Sequence, residues 1–324
     1  MARGKCAYFT ADFATAQAAA DEAQRLVLAG ERNWMVLDLV SLQGLLAHRS
    51  GSWFDRMRLE LRRTRDNPEI ANAIFDGYLC AAECMLYGSN PYAEVIDLAC
   101  GLQATARRSG ALRAEAFASA LIGEAAFLSG DLGLAAAELS EARGLHREIG
   151  SAAGEAHSLQ RLAEVSITEG DCELAMQLLQ DALPLARGSM VGKHLLQRIF
   201  GTMIVAAPDA LVARAIIDQA EAMLGWDDFC LFCSIMLSVP ASIACARAGD
   251  LRNAQRLLGL AQRSAVLWQG TSWEAAIAEA QAAVAAASGE PTTARERMHT
   301  AAEKFHGAGQ PIDAERCRRA TAKC

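Results

Sequence analysis

Two columns of small residues, repeated about every 40 positions, constrain the fold of this chain more than any other feature. The first column recurs at steps of 38 to 42 residues, and a second small residue follows seven positions after each member. The first column is Ala93, Ala135, Ala175, Ala213, Ala254 and Ala294, and the second is Cys100, Ala142, Ala182, Ala220, Ala261 and Ala301. A fixed period of this length is typical of a helical solenoid, in which each repeat is one hairpin stacked on the next.

A helix breaker stands five residues before each member of the first column. These breakers are Gly88, Gly130, Gly170, Pro208, Gly249 and Gly289, and most of them precede an acidic residue. Glycine ends one helix, and the acidic side chain then caps the N-terminus of the next. Because seven residues make two helical turns, each pair of small residues lies on one face, where helices approach most closely.

The pattern predicts a ladder of helix pairs along most of the chain. The pairs are predicted at 111–129 and 132–148, 151–168 and 171–187, 190–206 and 208–224, 228–248 and 250–268, and 271–288 and 290–307. Further helices are predicted before them at 11–28, 33–47, 53–65, 68–87 and 91–108, and after them at 311–322. We therefore expect an all-α, right-handed superhelical solenoid of about seven hairpins, with a leading segment (1–32), repeats (33–308) and a C-terminal capping helix (309–324).

Composition narrows the possible function classes. The net charge of -7 gives no protein-wide positive field to collect phosphates, so direct nucleic-acid binding is not expected. The most apolar run, 234–246, is too short to cross a membrane and contains a proline, and Met1–Cys6 lacks the apolar core of a secretory signal. Ten cysteines without tight spacing indicate reduced thiols, as in a cytoplasmic protein.

The repeats resemble the tetratricopeptide repeat. The resemblance is carried by a glycine within the first helix (Gly123, Gly201), the Gly-Asp turn (Gly130-Asp131) and the paired alanines that follow. Repeats near 40 residues, rich in Ala and Arg, are also similar to the long C-terminal helical regions of actinobacterial LuxR-type and ATPase-coupled transcription regulators. The resemblance covers residues 34–318, without the nucleotide-binding domain or the helix-turn-helix of those regulators.

The tetratricopeptide resemblance implies that the first helix of each pair lines a concave groove. Residues counted back from the turn glycines supply aromatic anchors near one end, polar groups in the middle and an apolar end. The predicted ligand-binding residues are Phe75, Tyr78, Phe117, Glu124, His157, Gln160, Glu164, Arg198, Thr202 and Met236. Aromatic anchors with a few convergent polar groups suit a peptide, a protein segment or a small effector. The alternative is that Glu164 and Arg198 merely pair across adjacent helices.

No catalytic motif accompanies these repeats. The loop 188–194 lacks the spacing of a phosphate-binding loop, and the chain has no Gly-x-Ser-x-Gly or His-Glu-x-x-His sequence. We expect no enzyme activity, no cofactor and no metal. A minor alternative is thiol-based metal or redox sensing through Cys230 and Cys233 or through Cys80 and Cys84.

The sequence thus favours a non-catalytic recognition module, most simply the effector- or partner-sensing region of a bacterial transcription regulator. The alternative from another class is a protein–protein scaffold without a small ligand. A thiol-based sensor is the third hypothesis.

Overall fold

The computed structural model describes residues 2–29, 39, 42–44, 46, 86–87, 90–189, 191–225 and 230–321. The chain divides into two compact units, Met1–Asn90 and Pro91–Cys324. All regular structure in the described residues is helical. The helices predicted at 33–47, 53–65 and 68–87 fall almost wholly outside the described residues.

The first unit contains two described helices, α1 (Ala2–Phe9) and α2 (Phe13–Ala29). The second matches the prediction, whereas α1 was not predicted because it is too short to show a clear apolar period. The two helices pack closely: a Cβ atom at Gly4 would lie 3.1 Å from the Cβ of Ala19. The rings of Tyr8 and Phe13 meet edge to face with centroids 5.4 Å apart.

The second unit is a ladder of twelve described α-helices that follows the predicted pairs. They are α3 (Tyr92–Ser109), α4 (Leu112–Ser129), α5 (Leu132–Glu148), α6 (Ala152–Glu169), α7 (Cys172–Arg187), α8 (Gly192–Ala206), α9 (Ala210–Leu224), α10 (Ser234–Arg247), α11 (Leu251–Ala265), α12 (Trp273–Ala287), α13 (Pro291–Gly307) and α14 (Pro311–Thr321). A short 3-10 helix, Val266–Trp268, follows α11. The predicted all-α solenoid of helical hairpins is confirmed.

The paired small residues are buried where the hairpins nest. In α5 and α7, Ala135, Ala142, Ala175 and Ala182 are all inaccessible to solvent. The first repeat differs from the prediction, because Ala93 and Cys100 are exposed. Tyr92 and Ala99, one residue earlier, are buried in their place. The seven-residue spacing is retained there, but its register is shifted by one.

The turns use the predicted glycine and acidic residues. Gly130 and Gly170 adopt φ angles of 94° and 92°, a left-handed conformation that glycine reaches without steric cost. The following Asp131 and Asp171 accept hydrogen bonds from the backbone N–H groups three residues later, at 3.0 and 2.9 Å. Glu290 is an exception, since its side chain makes no capping bond to α13.

The first helices of successive pairs also contact one another. Contacts join α4 to α6, α6 to α8, α8 to α10, and α10 to α12. These helices are consequently buried on most sides, whereas α5, α7 and α11 bury one stripe and expose the rest. No described helix is long and apolar enough to cross a membrane.

The last helix of the second unit touches its first hairpin. Helix α14 packs against α13 and also contacts α4. The Gln310 amide donates hydrogen bonds to the Tyr92 hydroxyl (2.6 Å) and to Ser272 Oγ (2.9 Å). One buried amide therefore joins the starts of α3, α12 and α14.

Candidate functional site: a buried polar ring

Six polar side chains from three consecutive first helices form a cyclic set of contacts, here called the polar ring. Its members in order are Glu124 (α4), Arg161 and Glu164 (α6), Thr202 (α8), Gln160 (α6) and Arg198 (α8). The three helices bring these residues together because each first helix packs directly on the next. The chain positions span about two repeats, so only the hairpin stacking makes the ring.

Arg161 forms ion pairs with both carboxylates of the ring. Its Nε lies 2.5 Å from Glu124 Oε2, and its Nη1 lies 2.7 Å from Glu164 Oε2. His157 lies on the same helix, and its Nε2 is 3.5 Å from Glu124 Oε2. The Glu124 carboxylate is therefore shared by groups from both α6 and α8.

Gln160 links α6 to the other half of the ring on α8. Its side-chain oxygen accepts a hydrogen bond of 2.6 Å from Arg198 Nε, and its amide nitrogen donates one of 2.8 Å to Thr202 Oγ1. Arg198 Nη2 lies 3.9 Å from Glu124 Oε2, and Thr202 Oγ1 lies 3.4 Å from Glu164 Oε1, which completes the cycle.

The ring is buried except at one place. The side chain of Arg161 is 1% exposed and that of Glu124 is 2% exposed, whereas Glu164 is 24% exposed. Two carboxylates face two guanidinium groups, so the ring balances its formal charges. Buried ions need such partners, because an uncompensated charge in a protein interior costs several kcal/mol. Glu164 is the one member through which the ring reaches solvent.

The structure brings together most of the predicted polar residues. Glu124, His157, Gln160, Glu164, Arg198 and Thr202 all lie in the ring or against it. Their arrangement differs from the expected open wall, because the side chains satisfy one another and are largely buried. Arg161 was not predicted, since counting at one residue per turn passed over the position next to Gln160. An arginine directly before the apolar Leu162 and Ala163 was the available signal.

The predicted apolar residues lie elsewhere. Phe117 is buried on α4, two turns before Glu124. Met236 is buried on α10, and its backbone carbonyl faces α8. Phe75 and Tyr78 lie outside the described residues, as do Cys80 and Cys84.

A buried histidine lies next to the polar ring at the junction of α5 and α6. His146 is packed so closely on Gly154 that a Cβ at Gly154 would lie 2.1 Å from its Nδ1. Neither of its ring nitrogens has a hydrogen-bond partner among the described residues. Burial, with smaller effects of His157 and Arg113, lowers the pKa of His146 to about 4. His146 is therefore neutral at physiological pH.

Two cysteines of the minor alternative form a second cluster, where the start of α8 meets the turn before α10. Cys230 and Cys233 lie in the turn before α10, next to His194 at the start of α8. His194 Nδ1 is 3.3 Å from Cys233 Sγ. The pKa of Cys230 is lowered to about 4, chiefly by the hydrogen bond from Cys233 and also by His194, against the opposing effect of burial.

Comparison with known proteins supports the fold. No protein-family model matches the chain, and no curated protein matches it. The chain is similar in structure to a Rap protein complexed with the competence and sporulation factor, with a TM-score of 0.55, 14% identity, and coverage of 97% of this chain and 92% of that one. It is also similar to the apo form of the quorum sensor NprR from B. thuringiensis, with a TM-score of 0.50, 13% identity, and coverage of 99% and 96%. At these identities, the likeness shows a shared helical-repeat fold.

Proposed function

We propose that this chain is a non-catalytic recognition module of a bacterial regulator and that it senses a peptide or a small effector carrying a carboxylate. The polar ring is the observation that carries the proposal, because it places Arg161 against the partly exposed carboxylate of Glu164 and holds a second arginine, Arg198, against the buried Glu124. The similarity to a Rap protein complexed with a named factor and to a quorum sensor agrees with a sensing role. The narrower assignment to LuxR-type regulators stays a prediction from the sequence.

The binding step that we propose is an exchange of carboxylates. Glu164 is 24% exposed, so its side chain can rotate into solvent while the more buried Glu124 stays in place. A ligand carboxylate would then take its position against Arg161, next to Thr202, with Arg198 as the second cation. The exchange keeps the buried charges balanced, which an uncharged ligand would not do.

The exchange predicts opposite effects for two ring substitutions. Glu164→Ala removes the internal competitor and should tighten binding of carboxylate ligands, whereas Arg198→Gln removes a cation and should weaken it. Glu169→Ala is the matched control, because Glu169 lies on the same helix but is exposed and outside the ring.

The probes are pools of random pentapeptides without Asp or Glu, made once with a free C-terminal carboxylate and once amidated, and the measurement is the thermal unfolding midpoint. A ligand at 100 times its dissociation constant stabilises the folded chain by about 2.7 kcal/mol. We expect the free-acid pool, but not the amidated pool, to stabilise the wild type, and Glu164→Ala to respond at lower peptide concentration. A wild type that ignores both pools, or an Arg198→Gln variant with unchanged response and helicity, would overturn the proposal.

A further inference from the structure

The cluster where α8 meets the turn before α10 consists of three side chains with metal-ligating atoms. The ligand atoms of His194, Cys230 and Cys233 all lie within 4.8 Å of one another. His194 Nδ1 and Cys233 Sγ are 3.3 Å apart. In a tetrahedral zinc site, bonds of about 2.0–2.3 Å place two ligand atoms about 3.5–3.8 Å apart. The cluster therefore needs shifts of only about 1 Å to surround such an ion.

The Cys-x-x-Cys turn is held in place by contacts that do not involve His194. Phe232, between the two cysteines, stacks on Trp268 with ring centroids 4.0 Å apart. Its carbonyl oxygen accepts hydrogen bonds from Trp268 Nε1 at 2.9 Å and from Ser264 Oγ at 3.3 Å. The turn is closed by the Cys233 N–H, which donates to the Cys230 carbonyl at 3.1 Å. Both sulfur atoms are thus presented to α8 by a fixed backbone.

Close contact between the backbones of α8 and α10 brings the imidazole to this turn. Pro240 has no N–H to donate to the Met236 carbonyl in α10. Gly201 of α8 fits against that carbonyl, since a Cβ at Gly201 would lie only 2.0 Å from Met236 O. The absence of a side chain at Gly201 lets the two helices meet, and His194 lies two turns earlier on α8.

We propose that His194, Cys230 and Cys233 form a binding site for a thiophilic metal ion, with zinc as the best-fitting ion. Zinc and copper(I) bind well to two thiolates and one imidazole, whereas magnesium and calcium prefer oxygen ligands. Cys233 is buried, while His194 and Cys230 are partly exposed, which gives an ion a route of entry. Three ligands from the described residues leave a fourth position for water or for a group on a bound molecule.

The metal site is distinct from the polar ring and does not depend on the proposed function. His194 and Arg198 are four residues apart on α8, but Arg198 reaches back to Gln160 on α6, whereas His194 reaches forward to Cys233. A bound ion would join one side chain of α8, His194, to two side chains of the turn before α10. It would do so whether or not the polar ring binds a ligand.

The test is a titration of the full chain, reduced and freed of metal, with cobalt(II) as a spectroscopic probe and then with zinc. We expect one equivalent of cobalt to give thiolate-to-metal charge-transfer absorption and the strong visible bands of a tetrahedral ion, and zinc to displace it. His194→Asn and Cys230→Ser should each weaken zinc binding by at least about 100-fold, the upper end of losses caused by outer-shell changes. Cys172→Ser, which changes an exposed cysteine on α7, should leave it unchanged.

Cys233 is buried, so its substitution could disturb folding, and thiol protection provides the second measurement. With zinc bound, Cys230 and Cys233 should be alkylated more slowly, while Cys172 should react at the same rate as without metal. Absence of saturable metal binding, or equal binding by the wild type, His194→Asn and Cys230→Ser, would overturn the proposal. Binding of copper(I) alone, lost in the same variants, would support the thiophilic site and overturn the choice of zinc.

Discussion

The two sides of α8 show different ways of joining repeats. Toward α6, the contact is made by long polar side chains, with Arg198 and Thr202 reaching Gln160. Toward α10, the contact is made by backbone, with Gly201 against the Met236 carbonyl. The same helix is therefore held by charge and hydrogen-bond complementarity on one side and by the absence of a side chain on the other.

This difference has consequences for how each side tolerates change. The polar side, toward α6, depends on the balance of buried charges, because removal of one charge leaves another buried without a partner. The backbone side, toward α10, depends on the space between the two helices, because even one methyl group does not fit there. Substitutions that change charge should consequently have their largest effects at the contact of α8 with α6, and substitutions that change size at its contact with α10.

The largest effect is expected for Glu124→Gln on the polar side. The change leaves the guanidinium groups of Arg161 and Arg198 without their shared carboxylate, and breaking a buried ion pair costs about 3–5 kcal/mol. The control is Glu115→Gln on the same helix, because Glu115 pairs with Arg107, whose side chain is 50% exposed. That pair should contribute no more than about 1 kcal/mol.

Chemical denaturation of both variants measures this difference. Addition of Arg161→Gln to Glu124→Gln should recover part of the lost stability, since the uncompensated charge is then removed. Equal losses in the two single variants would show that the burial of the arginine partner does not distinguish the two ion pairs.

The next largest effect is a pH dependence caused by His146, at the junction just before the ring. Its pKa is about 4 in the folded chain and 6.5 when unperturbed, so unfolding takes up a proton between these values. The stabilisation is complete above pH 6.5 and is lost as pH falls toward 4. From pH 7 to 4.5 it should decrease by about 2–3 kcal/mol.

His146→Leu should remove this part of the pH dependence, measured as the free energy of unfolding at the two pH values. Leucine suits the site because the imidazole nitrogens have no hydrogen-bond partner among the described residues. His299→Leu on α13 is the control, since the His299 side chain is 66% exposed. Identical pH dependence in His146→Leu and the wild type would assign the acid sensitivity to other groups.

The repeats could be predicted from the sequence because their signals are local. Residues such as Gly130-Asp131 and the alanines that follow determine the structure of one turn and one helix pair. Their spacing alone therefore predicts the hairpin boundaries to within a few residues. The exception is the turn before α10, which was predicted to be helical from 228 and instead has α10 beginning at Ser234. Its conformation depends on Phe232 stacking on Trp268, a contact between residues 36 positions apart.

The site could be predicted only in part. The residues that share a helix face follow from the local sequence period, whereas the contacts between those faces join residues far apart in the chain. The 3.6-residue period placed Glu124, Gln160 and Arg198 on corresponding faces of three helices. It could not show that these side chains bind one another, or that Arg161 reaches both Glu124 and Glu164. Likewise, the pairing of His194 with Cys233 depends on the close approach at Gly201, which a sequence pattern does not report.

The smallest of the three effects is expected for Gly201→Ala on the backbone side. The added methyl would clash with the Met236 carbonyl, and overpacking of this kind costs about 1–3 kcal/mol. Gly259→Ala on α11 is the matched control, because a Cβ there meets nothing within 4 Å. Alanine is the better helix former, so the Gly259→Ala variant should gain up to about 1 kcal/mol of stability.

The free energies of unfolding of the two variants are measured by chemical denaturation. A loss for Gly201→Ala with a gain for Gly259→Ala would locate the close contact at Gly201. Gains in both variants would show that α8 and α10 can separate without cost. If they do separate, His194 moves away from Cys233, and the cobalt absorption of Gly201→Ala should weaken while that of Gly259→Ala stays unchanged.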